Sequence, residues 1–133
     1  MARARSLGHH RGVTYRVLLC DDTPAYRTLT RAVLEPQGAE IVGEAGDGEE
    51  CLELLEGTVR PDLILLDVNM PGMDGLTALP AIRRRAPEAD VVVLSTGCAA
   101  DLEAESLRCG AKAFLHKPQD IRTLPGLLRA AMA

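Results

Sequence analysis

Short apolar runs recur along the chain, and four of them end on residues that carry chemistry. Arg16-Val17-Leu18-Leu19-Cys20 runs into the pair Asp21-Asp22, and Pro61-Asp62-Leu63-Ile64-Leu65-Leu66 runs into Asp67. Val91-Val92-Val93-Leu94 ends at Ser95-Thr96-Gly97, and Ala113-Phe114-Leu115-His116 ends at Lys117-Pro118. Runs this short, with no polar alternation, predict strands buried on both faces, as in a parallel sheet. Strands are expected at 16–20, 41–45, 62–67, 91–95 and 112–116, with helical patterns at 24–35, 48–56, 75–86, 99–109 and 121–131. This alternation predicts βαβ units in one α/β domain, with right-handed crossovers that put helices on both faces of the sheet.

Boundary signals support these elements. Thr23-Pro24 suits a helix cap and first turn, Asp74-Gly75 suits another helix start, and Gly110 suits a stop. Pro80 falls inside the third helical pattern and Pro125 inside the fifth, so the fifth helix is expected to start late, near Thr123, or to bend.

Open α/β sheets bind ligands at the carboxyl ends of their strands, and that edge collects Asp21, Asp22 and Asp67. Two like charges ~4 Å apart repel by about 4 kcal/mol at an effective dielectric of ~20, so the cluster calls for a cation or raised pKa values. Hard oxygen ligands with room for water and phosphate favour Mg2+. Ser95 and Lys117 join the same edge from the fourth and fifth strands.

Composition narrows the alternatives. Hydrophobic residues make up 47% of the 133 but aromatic ones only 2%, so the core is aliphatic and stacking platforms for single-stranded nucleic acid are lacking. Arg3, Arg5 and Arg11 put +3 on residues 1–14, which also hold His9 and His10 and contain no acid. The overall charge of -4 then leaves -7 on residues 15–133, a poor general binder of DNA. The basic arm is expected to be disordered. No segment reaches the ~18 apolar residues of a membrane span, and a cytoplasmic location is expected. Cys20, Cys51, Cys98 and Cys109 show no metal-like spacing. Cys20 and Cys109 suit a core, and Cys98 suits an accessible loop. Arg83-Arg84-Arg85 reads as a solvated helix face.

Taken together, Asp21-Asp22, Asp67 with Met70-Pro71-Gly72-Met73-Asp74-Gly75, Ser95 and Lys117-Pro118 resemble the receiver domain of two-component response regulators over roughly residues 15 to 131. The resemblance implies a flavodoxin-like, doubly wound five-stranded parallel sheet of order 2-1-3-4-5. It implies that Asp67 accepts a phosphoryl group from a sensor histidine kinase, a histidine phosphotransfer protein or a small phosphodonor. Asp22, Asp67 and the Asn69 backbone carbonyl would bind Mg2+, Asp21 would act mainly through water, and Ser95 and Lys117 would contact the phosphoryl oxygens. Ser95 and Phe114 would form the switch that alters helix four, strand five and helix five. A cis peptide before Pro118 would aim Lys117, and helix one around Tyr26, Leu29 and Thr30 would dock the kinase.

Thr96 stands where receivers usually carry Ala or Gly, so Asn69, Thr96 and Gly97 are candidates for tuning phosphate lifetime. The output is expected to run through a phosphorylation-dependent homodimer or an effector protein, without direct nucleic-acid or membrane binding. The chain is expected to be a stand-alone receiver or the front of a longer regulator. Two other readings stay open. One is a receiver-like domain that binds partners without phosphorylation. The other is an aspartate-nucleophile phosphatase of the haloacid dehalogenase type, which expects a second acid where this chain has Asn69.

Overall fold

A computed structural model of the chain describes residues 15–70, 72–96 and 100–133. The expectations for the arm 1–14, and for Pro71, Gly97 and Cys98, lie outside the described residues. Strands β1 (Tyr15–Cys20), β2 (Ala39–Ala45), β3 (Leu63–Asp67), β4 (Asp90–Ser95) and β5 (Ala113–His116) form one sheet of order 2-1-3-4-5. All of its pairings are parallel, as expected for a doubly wound flavodoxin-like domain. Helices α1 (Pro24–Leu34), α2 (Gly48–Glu56), α3 (Gly75–Arg85), α4 (Ala100–Arg108) and α5 (Leu124–Met132) alternate with the strands.

The unbroken apolar runs have a direct cause, since each strand feeds two cores. Val17, Leu19, Leu63, Leu65, Val92 and Leu94 pack with Leu34 of α1 and Leu124 and Leu128 of α5. Their alternates Leu18, Cys20, Ile64, Leu66, Val91 and Val93 pack with Cys51 and Leu55 of α2 and Ala78, Leu79 and Ile82 of α3. Side chains alternate across a strand, so only a strand covered on both faces needs apolar residues at every position.

Helix ends follow local chemistry. Asp47 accepts the Glu50 N–H at 2.8 Å, and Asp74 accepts the Thr77 N–H at 2.8 Å, which fixes the starts of α2 and α3. Gly110 ends α4 in the left-handed region at φ 109°. Pro80 is accommodated inside a continuous α3. The fifth helix does start late. Ile121–Thr123 forms a 3-10 turn, α5 begins at Leu124, and Pro125 falls in its first turn, where a missing N–H costs nothing.

Several expectations are corrected by packing. Arg83 is no solvated charge, because its guanidinium donates to the carbonyls of Ala86, Pro87 and Ala89 and closes the end of α3. Cys109 is half-buried rather than in the core, with its thiol 3.6 Å from Glu105 Oε2. Cys20 is core as expected, and its thiol faces that of the equally buried Cys51, 2.9 Å away. Burial, together with Cys51, pushes the Cys20 thiol well up. Among the described residues, no helix is long and apolar enough to cross a membrane.

Candidate functional site

The parallel register brings the ends of β1, β3, β4 and β5 to one edge, and this is what converts scattered sequence positions into a site. Asp67 is the last residue of β3 and is 3% exposed. Asp21 follows β1 and is 5% exposed, whereas its neighbour Asp22 faces solvent. One carboxylate oxygen from each of the three lies within 4.8 Å of the others. Such an all-oxygen, strongly anionic donor set suits a hard divalent cation.

The two buried carboxylates are each fixed by a local turn. Asp67 Oδ1 accepts the Asn69 N–H at 2.9 Å, and Asp21 Oδ1 accepts the Thr23 N–H at 2.9 Å, so both side chains are tied to the backbone two residues on. Thr23 itself makes no side-chain cap on α1. Burial raises the pKa of Asp67. The Asn69 N–H and the Lys117 charge oppose this, and the neighbouring Asp21 charge reinforces it.

Lys117 enters from the end of β5. Its ammonium lies 2.7 Å from Asp21 Oδ2, 3.4 Å from Asp67 Oδ2 and 4.3 Å from the centroid of the Tyr26 ring. The described residues contain no cis peptide, so the expected cis bond before Pro118 is corrected to trans. A trans X–Pro bond is intrinsically favoured by about 0.5–1 kcal/mol. With that bond trans, the Lys117 N–H donates to the Ser95 carbonyl at 2.8 Å, and the flexible side chain still reaches both carboxylates.

Ser95 ends β4 fully buried, opposite His116 of β5. Phe114 packs into the core on the α2 and α3 side of the sheet and meets the His116 ring edge-on at 5.6 Å. Asn69 and Thr96 are exposed at the rim, with Asn69 Nδ2 donating to Thr96 Oγ1 at 3.3 Å.

Helix α1 differs from the surface expected of it. Thr30 is buried, and its hydroxyl donates to the Tyr26 carbonyl at 2.8 Å. Tyr26 is half-buried under Lys117, and Leu29, 49% exposed, remains on the outer face. Arg27 was not singled out from the sequence. It donates to the Asp21 carbonyl at 2.5 Å and to Glu44 of β2 at 2.9 Å, while Arg31 binds the other oxygen of Glu44. Arg31 above all, with Arg27, holds the Glu44 carboxyl below its usual range against the opposing effect of burial. An arginine one turn into a helix that follows an acidic pair was the available signal, but its two acceptors lie in the loop after β1 and on β2.

Residues 17–129 match the family described as the response regulator receiver domain. The transcriptional regulatory protein PdtaR of Mycobacterium tuberculosis is 40% identical over 123 residues, covering 91% of this chain and 58% of PdtaR. This chain therefore spans little more than half of that relative. The chemotaxis protein CheY of Listeria monocytogenes is 35% identical over 117 residues, which is 87% of this chain and 98% of CheY. Among solved structures, the CheX–CheY–BeF3–Mg complex of Borrelia burgdorferi matches with a TM-score of 0.79 at 30% identity, covering 92% of each chain. The receiver domain of NarL from Mycobacterium tuberculosis matches with a TM-score of 0.76 at 32% identity, covering 91% of this chain and 98% of that one. Sheet order, the acidic edge and this kinship run over the same stretch of residues, and the chain belongs to the response regulator receiver domain family, the phosphorylatable signalling domain of two-component systems.

Proposed function

We propose that Asp67 is the phosphoacceptor of this receiver and that Asp21, Asp22, Ser95 and Lys117 complete its site. The observation that carries this reading is the buried Asp67 carboxylate, sharing an acidic cluster and one ammonium group at the end of a central strand. In the proposed step a carboxylate oxygen of Asp67 bonds to phosphorus. The N–P bond of a phosphohistidine, or the acyl O–P bond of acetyl phosphate, breaks and its electron pair leaves with the donor.

Asp22, Asp67 and the Asn69 carbonyl would hold Mg2+ directly and Asp21 through water, and the ion supplies charge neutralisation for the carboxylates and the transferring oxygens. Lys117 moves from a partner of two carboxylates to a partner of a phosphoryl oxygen, and Ser95 donates to another. The roughly two negative charges of the aspartyl phosphate then draw Ser95 inward. Phe114 follows, and the surface of α4, β5 and α5 changes for a homodimer partner or an effector. The donor is a sensor histidine kinase or a histidine phosphotransfer protein, docked over α1, and the domain turns over no external substrate.

Intact mass after exposure to acetyl phosphate tests this. Wild-type protein in Mg2+ is expected to gain the mass of one phosphoryl group, and protein in excess chelator is expected to gain none. A folded protein that gains nothing in Mg2+ would overturn the proposal and favour a phosphorylation-independent interaction domain.

The contact between Asn69 and Thr96 supports a role for both in phosphate lifetime. Thr96→Ala removes a side chain at the rim and admits water more freely. Loss of the phosphoryl mass after donor removal is therefore expected to be roughly three- to tenfold faster. Equal lifetimes in the two proteins would remove Thr96 from the tuning positions.

A further inference from the structure

This inference rests on the reading of Lys117 as the group that meets the phosphoryl oxygens. Its ammonium lies over the Tyr26 ring, 4.3 Å from the centroid, while its two carboxylate partners lie at 2.7 and 3.4 Å. The chain has one Phe, two Tyr and no Trp, so one of only three Phe or Tyr rings stands against the one ammonium that reaches the acidic cluster among the described residues. The Tyr26 hydroxyl is buried and has no hydrogen-bond partner among the described residues, so the ring face is the part of the side chain with an evident contact. Burial, helped by the Asp21 and Asp67 charges, lifts its pKa to about 12 and keeps the phenol neutral. It therefore cannot compete with the carboxylates for the lysine as a phenolate.

We propose that Tyr26 is a positioning residue for Lys117, its ring face pinning the ammonium at the mouth of the carboxylate cluster before the phosphoryl group arrives. A lysine is a point charge on a flexible four-carbon stem, and without a second constraint it follows whichever carboxylate is nearer. Here that is Asp21. The face of the ring carries the negative lobe of its quadrupole and attracts the cation without claiming any of its three donors. The ammonium stays oriented while its hydrogen bonds remain available for exchange from carboxylate to phosphoryl oxygen. Placement on the first turn of α1, directly after the loop that carries Asp21 and Asp22, ties this contact to the same segment as the acidic pair.

Two variants and two readouts test it. In the unphosphorylated protein the ε-methylene proton resonances of Lys117 are expected upfield in the wild type and in Tyr26→Phe, and unshifted in Tyr26→Leu. The rate of phosphoryl uptake from acetyl phosphate in Mg2+ is expected to fall about three- to tenfold in Tyr26→Leu and to stay at the wild-type level in Tyr26→Phe. Unshifted Lys117 protons in the wild type would overturn the proposal. So would an unchanged rate in folded Tyr26→Leu, or an equal rate loss in both variants. Upfield Lys117 protons in a wild type that takes up no phosphoryl group would support the pinning and overturn the phosphoacceptor reading instead.

Discussion

Asp67→Asn is expected to take up no phosphoryl group from acetyl phosphate and, at the same time, to unfold at a higher temperature than the wild type in the absence of Mg2+. The first effect follows from removing the nucleophile that the proposed chemistry requires. The second follows from where the carboxylate sits. Asp67 is 3% exposed, belongs to a cluster of three acids within 4.8 Å, and shares its one ammonium with Asp21. Relieving a like-charge contact at that range, partly offset by the lost attraction to Lys117, is expected to stabilise the fold by about 1–3 kcal/mol at neutral pH.

The sign of the pH dependence follows from the raised pKa of Asp67, caused first by burial. A carboxyl that holds its proton more tightly folded than unfolded favours the folded state at low pH. That contribution is lost as pH rises from the unfolded value through the folded one. The stability difference between Asp67→Asn and wild type is therefore expected to be small at pH 3 and to reach its full size above the folded pKa of Asp67. Thermal melts across that range read it directly, and a difference that grows toward low pH would contradict the assignment. Adding Mg2+ is expected to narrow the gap at neutral pH, because an ion that binds the folded cluster stabilises it by mass action.

Gly75→Ala is expected to be the most damaging single-methyl change near the site. Asp74 caps α3, and Gly75 is its first residue, lying so close to β3 that a Cβ would fall inside contact distance of the Asp67 carbonyl and 3.0 Å from Val68 Cα. Neither side yields cheaply, since Asp67 is in the sheet and the Val68 N–H is bonded to the Leu94 carbonyl at 3.1 Å. The start of the helix must retreat, at a cost of about 2–4 kcal/mol. The fraction that stays folded is expected to phosphorylate more slowly, because the displaced backbone is that of Asp67. Denaturant unfolding and phosphoryl uptake on the same preparation check both parts, and a loss of stability below about 1 kcal/mol would show that the helix moves freely. Gly72 is a useful contrast. A Cβ there meets nothing within 4 Å, but φ is 66°, so Gly72→Ala is expected to cost about 1 kcal/mol through conformation alone.

The local order of this protein was legible in its sequence because that order depends on one-dimensional rules. Apolar runs marked the strands, Asp74 and Gly110 marked helix ends through chemistry a few residues long, and strand-end residues marked the site. Resemblance to receivers supplied the sheet order, which no local rule specifies. What the sequence could not decide were contacts between elements far apart in the chain. Lys117 and Asp21 are 96 residues apart, and Lys117 takes both carboxylates and the Tyr26 ring through a trans Lys117–Pro118 bond. Resemblance to receivers implies a kinase-docking face of α1 around Tyr26 and Thr30. Packing turned Tyr26 under the lysine and buried Thr30. Arg83 read as a solvated charge until the turn after α3 presented carbonyls to it, and Cys20 met Cys51 only when α2 lay across the sheet. Periodicity determines which residues share a strand or a helix face. The partner that face receives is set by the summed packing of all five strands and their helices, and this is known only in three dimensions.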